Sequence, residues 1–293
     1  MKRSALIRVI LYFILAAALL GILLSGLKFD RFGFLPSFWR SESESEGTLL
    51  QNHNVPASQI QNLSIDWASG SIILEPGNGS DITVSETGND ASRPAVLKQS
   101  GHTLIVQYCD SQKIRLGTDL EKDLLITVPA DWQCRKLEID AASTDIAVSD
   151  LTIEEVDIET ASGSSIFSDC NVDSLEMSSA SGDLDFTGTL RELEFSGASA
   201  NATLLLYNVP KSICMDSMSG DLDLTLPEDC SFTVSRDMLG GSFETDFEVG
   251  SNLEDDIIFH HGSGSKCKID VDGMSTDIRI TKGDYTASER GKQ

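Results

Sequence analysis

The sequence predicts an all-β protein: a β-solenoid of stacked coils of about nineteen residues, preceded by one transmembrane helix. Three observations carry that expectation. An apolar pattern recurs every nineteen or so residues, apolar positions within each repeat alternate with period two, and one long uncharged run lies near the N-terminus. Apolar residues make up 40% of the 293-residue chain but aromatics only 6%, so the core is one of small and branched aliphatic side chains.

The N-terminal element comes first. Lys2, Arg3 and Arg8 precede an uncharged run from Val9 to Leu27. At about 1.5 Å per residue this run reaches roughly 28 Å, near the ~30 Å hydrocarbon thickness of a bilayer. A cleaved signal peptide is the rival reading, but its apolar region is usually about 7–15 residues long. Ala16-Ala17-Ala18 lies mid-run, where cleavage has no exit, leaving Ser25-Gly26 as the rival's small-residue site. An uncleaved anchor over residues 9–27 is therefore expected, with the N-terminus inside and the acidic domain outside. Lys28, Arg31 and Arg40 blunt the charge asymmetry behind that orientation. Phe29, Phe32, Phe34, Phe38 and Trp39 follow the run, where interfacial aromatics settle. Ser41–Gly47 alternates Ser and Glu and has nothing to bury. The expected organisation is an anchor and juxtamembrane segment over 1–40, a polar linker over 41–59, a repeat domain over 60–281, and a polar tail over 282–293.

The repeat begins at Leu137-x-Ile139 and recurs at Val156-x-Ile158, Leu175-x-Met177, Leu193-x-Phe195, Ile213-x-Met215 and Phe232-x-Val234. Five places after each start stand Ala142, Ala161, Ala180, Ala198 and Met218. Nine places on stand Ile146, Ser165, Leu184, Ala202 and Leu222, and eleven on Val148, Phe167, Phe186, Leu204 and Leu224. A third apolar site follows near Leu151, Val172, Leu190 and Val209. Leu63, Ile65, Ala68, Ile72 and Leu74 fit the same offsets, with Ile82-x-Val84 starting another unit. Ile269, Val271, Met274, Ile278 and Ile280 reproduce them near the C-terminus.

Period-two spacing within a pair means a strand with one side chain in and the next out. Small-residue corners such as Ala161-Ser162-Gly163 and Ala180-Ser181-Gly182 separate the two pairs of a unit. No single unit can bury its own inner face, but stacking units about 4.8 Å apart aligns the recurring positions into apolar columns. A β-sandwich is the alternative; it predicts turns every 8–12 residues without column identity at nineteen.

The clearest copies of the unit, Ala180-Ser181-Gly182-Asp183-Leu184-Asp185-Phe186 and Met218-Ser219-Gly220-Asp221-Leu222-Asp223-Leu224, give the chain a resemblance to a known family. With the N-terminal apolar segment and polar linker, the chain resembles the membrane-anchored bacterial putative-adhesin family of domains of unknown function with β-strand repeats. The resemblance spans roughly residues 60–281. It implies an extracytoplasmic β-solenoid without catalytic residues, some relatives being encoded beside cell-envelope stress regulators.

Charge narrows the function. The chain carries 46 acidic against 22 basic residues, a net charge of -24, which opposes contact with phosphate backbones and excludes nucleic acid as a partner. The six cysteines, Cys109, Cys134, Cys170, Cys214, Cys230 and Cys267, include no C-x-x-C pair, so neither a zinc knuckle nor a thioredoxin-like site is indicated. His260 and His261 are adjacent, and on a strand they point to opposite faces; His53 and His102 stand alone. No G-x-S-x-G elbow occurs. Asp183 with Asp221, or Asp185 with Asp223, and Asp145 and Asp277 near the same turn, form an acidic ladder that could share Ca²⁺, although Ser164 and Asn201 interrupt it. Arg191, Lys211, Arg236, Lys266, Lys268 and Arg279 share no common offset with Asp, unlike the groove of a polysaccharide-cleaving solenoid. No catalytic, cofactor-binding or metal-binding residue is assigned, and no cofactor is expected. The expected function is that of a membrane-anchored, extracytoplasmic, adhesin-like interaction protein contacting a cell-wall polymer or an envelope protein. The alternative is an accessory or sensory component of cell-envelope stress signalling.

Overall fold

The computed structural model describes residues 48–49, 53–88, 94–109, 121–248, 257–262 and 267–283. The expected anchor over 9–27, the Ser41–Gly47 segment and Lys266 lie outside the described residues. Among the described residues no helix is long and apolar enough to cross a membrane.

The chain is all-β. In order come β1 (Thr48–Leu49), β2 (Asn54–Pro56), a single 3-10 turn (Ala57–Gln59), β3 (Asn62–Gly77), β4 (Asp81–Gly88), β5 (Val96–Ser100) and β6 (Thr103–Gln107). Next are β7 (Lys122–Pro129), β8 (Gln133–Ser149), β9 (Thr152–Ser162), β10 (Ser165–Ser181), β11 (Leu184–Ser199), β12 (Ala202–Leu206) and β13 (Ser212–Ser219). Then follow β14 (Leu222–Pro227), β15 (Phe232–Gly240), β16 (Phe243–Thr245), β17 (Ile257–His261), β18 (Cys267–Ser275) and β19 (Ile278–Gly283). The strands pair into one continuous sheet, many of them with partners that are not their neighbours in sequence. Residues 48–59, expected within the linker, supply β1, β2 and the 3-10 turn. Val55 and Ala57 bury their apolar side chains there.

Each coil has a long arm and a short arm joined at the Ser/Gly corner, and coils stack in parallel register. Leu104, Leu63, Leu137, Val156, Leu175, Leu193, Ile213, Ile269 and Val234 are successive partners in a single buried column. On the short arm a second column runs Ile126, Leu74, Val148, Phe167, Phe186, Leu204, Leu224, Ile280. The Phe167 and Phe186 rings stack with centroids 5.8 Å apart. The period expected from the sequence is thus a physical repeat, and the solenoid-like stack stands in place of the sandwich.

Four details differ from the sequence expectation. Ala68 is buried, but the fifth-offset alanines of the interior coils are not core: Ala161 and Ala180 are exposed. Strand parity explains this, because an inward residue at the start puts the fourth offset inward and the fifth outward. Ala141, Thr160, Ser179, Gly197 and Ser217 occupy the inward position. At the far corner Ile153, not Leu151, aligns with Val172 and Leu190. Ile82 and Val84 begin no coil; β4 runs antiparallel to β7 and β2, covering the end of the stack. Finally, chain order and stack order diverge at both ends. β3 lies between β6–β7 and β8, although all of these follow it. At the other end β18 lies between β13 and β15, so Ile213 and Val234 both face Ile269, and the register is two residues from the one that Phe232 implied. The Leu-x-Ile pattern is common to all coils and carries no label for which edge it joins.

The corner demands glycine where coils approach closely. Gly163 has φ +116°, and a Cβ there would lie 2.0 Å from the Thr144 carbonyl oxygen. At the opposite corner Asp150 and Asp169 adopt φ 53° and 54°, the left-handed region that short polar side chains tolerate.

Two measurements check this packing. Phe186→Ala removes one member of the ring stack and is expected to cost roughly 3–5 kcal/mol in urea denaturation. Gly163→Ala forces either the backbone or the Thr144 carbonyl to move and is expected to lower the same transition more than an Ala substitution at half-buried Ser162.

Candidate functional site

The long arms turn one residue of each apolar pair's interval outward, and that residue is acidic coil after coil. Glu138, Asp157, Glu176 and Glu194 are successive register partners, with Asp270 following beyond Cys214. Two residues along, Asp66, Asp140 and Glu159 form a second row, interrupted by Ser178 and Ser196 and resumed by Asp216, Asp272 and Asp237. Adjacent members are separated by about one strand spacing, ~4.8 Å. The result is an acidic face along the outside of the long arms.

Among the described residues few cations relieve it. Lys136 Nζ lies 2.9 Å from Glu155 and 3.5 Å from Asp157, and Lys268 Nζ lies 2.5 Å from Asp270. Partial burial pushes Glu159 above the ordinary carboxylate range, and Asp140, Asp157, Glu138 and Glu176 add to the shift. Glu138, Glu176 and Asp272 are raised by burial first and by neighbouring carboxylates next. Burial also raises Asp66, against a hydrogen bond from Gln107 Nε2 at 3.0 Å and the charge of Lys98. These rows were present in the sequence as the residue between the paired apolar positions, in Leu137-Glu138-Ile139 and Leu175-Glu176-Met177.

The ladder considered for Ca²⁺ has another use. Asp145 Oδ1 accepts from the Ser164 amide and hydroxyl, and Asp183 Oδ1 accepts from the Asn201 amide and side chain. Asn201 Oδ1 accepts from the Asp221 amide, Asp221 Oδ1 from the Asp277 amide, and Asp277 Oδ1 from the Ser242 amide and hydroxyl. Each carboxylate or amide thus receives the turn N–H of the next coil. Those bonds hold Asp277 below the ordinary carboxylate range. Asp185 and Asp223 lie on the short arm with Thr203 between them, and Arg279 sits 3.6 Å from Asp223. Among the described residues no three His, Cys, Asp or Glu side chains gather as a metal-holding group.

The remaining sequence candidates are dispersed. His260 Nδ1 lies 3.1 Å from Thr233 Oγ1, whereas His261 Nδ1 lies 2.7 Å from the Glu248 carbonyl oxygen, its ring against Phe247. His102 Nδ1 lies 3.1 Å from the Gln59 carbonyl oxygen, and His53 is exposed. Arg191 and Lys211 both contact Glu192, and Arg236 is exposed on the terminal coil. Burial pushes the Cys134 and Cys267 thiols up to about 12 and those of Cys170 and Cys230 to about 11, so none of these four supplies a thiolate near neutral pH.

One cluster was not legible in the sequence. Lys122, only 3% exposed, places Nζ 2.7 Å from Glu86 Oε2 and 2.5 Å from the Tyr108 carbonyl oxygen. Its ammonium lies 4.1 Å from the Tyr108 ring centroid and 5.1 Å from that of Trp67, while Trp67 Nε1 donates to the Lys122 carbonyl at 3.0 Å. These residues come from β3, β4, β7 and the end of β6, where the repeat loosens, so no periodic signal links them. The charge is paired and lies between aromatic faces, which fastens the outer coil onto β3.

Fold and face together define an all-β repeat domain with an acidic exterior. Residues 60–204 match the Toastrack DUF4097 family. Among curated proteins there is no significant match. Distant structural likenesses exist. A putative adhesin from Bacteroides fragilis is 12% identical with TM-score 0.48, the alignment covering 78% of this chain and 94% of that one. A putative cell adhesion protein from Clostridium sporogenes is 11% identical with TM-score 0.35, covering 78% and 97%. A putative lipid binding protein from Parabacteroides distasonis is 14% identical with TM-score 0.37, covering 81% and 96%.

The acidic face sets a pH dependence. Glu138, Glu159, Glu176, Asp66 and Asp272 hold protons to higher pH in the folded than in the unfolded chain. Stability therefore falls as pH rises from the ordinary carboxylate range through their raised values. Asp277, shifted downward, acts oppositely: its contribution is lost as pH falls through its folded value. The thermal midpoint is expected to be higher at about pH 5 than at about pH 7.5, and Glu159→Gln to flatten that slope by raising the midpoint at the upper pH. Differential scanning calorimetry at the two pH values is the check.

Proposed function

We propose that the protein is a non-catalytic interaction scaffold, held to the cell membrane by residues 9–27, with its coil stack outside the cytoplasm. Its contact surface is the acidic face of the long arms, and its partner is a cationic polymer or the cationic surface of an envelope protein. The observation that carries this reading is the row Glu138, Asp157, Glu176 and Glu194, repeated in register on a rigid sheet. A flat array of like charge at strand spacing raises the local concentration of an extended polycation and accelerates its capture. The raised thiol values of four cysteines oppose thiolate catalysis, which supports a binding role. Membrane attachment rests on the length of the uncharged Val9–Leu27 run.

The test uses the full chain in lipid nanodiscs and a fluorescent oligolysine. Binding is expected to weaken steeply with salt, and the combined Glu138→Gln, Glu159→Gln, Glu176→Gln variant to lose about tenfold in affinity. A short-arm control, Asp185→Asn with Asp223→Asn, should bind as the parent does. Equal loss in both variants, or none in either, would overturn the assignment of the face. Protease added to intact cells should digest the coil stack, and protection of the stack would overturn the orientation. A partner retained by the anchor segment alone would favour the signalling role instead.

A further inference from the structure

The last coil is threaded between two earlier ones, and two buried cysteines, both free thiols in the structure, stand where it enters. Cys267 opens β18 and is fully buried; its register partner on β15 is Phe232. The Cys267 amide donates to the carbonyl of Ser231 at 3.2 Å, and Ser231 is the covalent neighbour of Cys230. Cys230 is itself 5% exposed, so both side chains turn into the same interior. We propose that Cys230 and Cys267 form a disulfide that clips the threaded coil β18–β19 to the terminal coil β15–β16.

Electrostatics support the proximity: a charge on Cys230 would further oppose ionisation of Cys267. Cys134, Cys170 and Cys214 have no cysteine partner among the strands they pair with. Cys134 faces Ile153, Cys170 faces Gly188, and Cys214 lies between Glu194 and Asp270. The reaction is a two-electron exchange with a small oxidised disulfide. One cysteine thiolate attacks a sulfur of that disulfide, forming a mixed disulfide and releasing one thiol. The second thiolate then attacks the protein sulfur, forming Cys230–Cys267 and releasing the second thiol, so the small disulfide is reduced as the protein is oxidised. Burial keeps both thiols protonated in the folded chain, so the bond forms while this end is still open and exchanges slowly afterwards. Bridging the two segments also restricts the unfolded chain across the whole β15–β18 excursion, the region where chain order and stack order differ.

The experiment refolds the reduced, denatured full chain in detergent in a buffer of reduced and oxidised glutathione, so that access to the thiols is not limiting. The expected product has four titratable thiols of the original six, and peptide mapping joins Cys230 to Cys267. Its melting midpoint should exceed that of the dithiothreitol-treated chain. Cys230→Ala should abolish the difference, whereas Cys214→Ser should preserve it. Six titratable thiols after refolding would overturn the proposal, as would a linkage confined to Cys214 between chains. Should Cys230→Ala fail to fold, the thiol count and the peptide map of the parent chain decide the matter alone.

Discussion

In-register backbone pairing between parallel coils is the constraint on which everything else depends. A coil of this length cannot enclose a core by itself; its inward residues are buried only because the next coil continues the same column. Leu175 is covered by Val156 on one side and Leu193 on the other. A register slip of one residue would turn every such column outward and bring the carboxylate rows in. The columns therefore specify register as strongly as the hydrogen bonds specify spacing.

Stacking creates two ends, and each exposes backbone groups that would otherwise recruit another strand. Both ends are handled by changing strand direction. β5 runs antiparallel along β6, and β4 along β7. β17 runs antiparallel along the start of β15. Each end also receives its neighbour out of chain order, β3 between β6–β7 and β8, and β18 between β13 and β15. Threading a coil into the stack means that the outermost coil must be held by something other than the next repeat. The pair of buried Lys122 and half-buried Glu86, within its aromatic surround, does this at one end. Phe232, Phe243, Phe247 and Phe259 do so at the other, with Phe232 against Phe247 at 5.1 Å and Phe243 against Phe259 at 5.2 Å.

The interior coils were legible because their signal is local and repeated. Leu137-x-Ile139 and Val148 recur at fixed offsets, and a column needs nothing more. The alanines of the corner were misjudged because composition was read without strand parity; counting by twos from Leu175 leads inward to Ser179, not to Ala180. The ends were illegible for a different reason. Nothing in Ile269-x-Val271 says whether its neighbour is Met215 or Arg236, since both edges of a coil offer the same backbone groups. The Lys122 cluster depends on contacts between segments far apart in sequence, for which no spacing rule exists.

The two sets of carboxylates lead to opposite conclusions about why they are there. Asp145, Asp183, Asp221 and Asp277 each accept a turn amide from the neighbouring coil, so folding alone accounts for them. Asp277 is accordingly held in its charged form. The long-arm rows are different in kind. Glu159 and Glu176 sit beside like charges on adjacent strands, and burial works against their ionisation. At neutral pH their charge opposes the fold, and a Thr or Gln at the same outward positions would keep the strand without that opposition. A charge that weakens the stack, repeated on coil after coil, is the feature on which the proposed contact with a cationic partner rests.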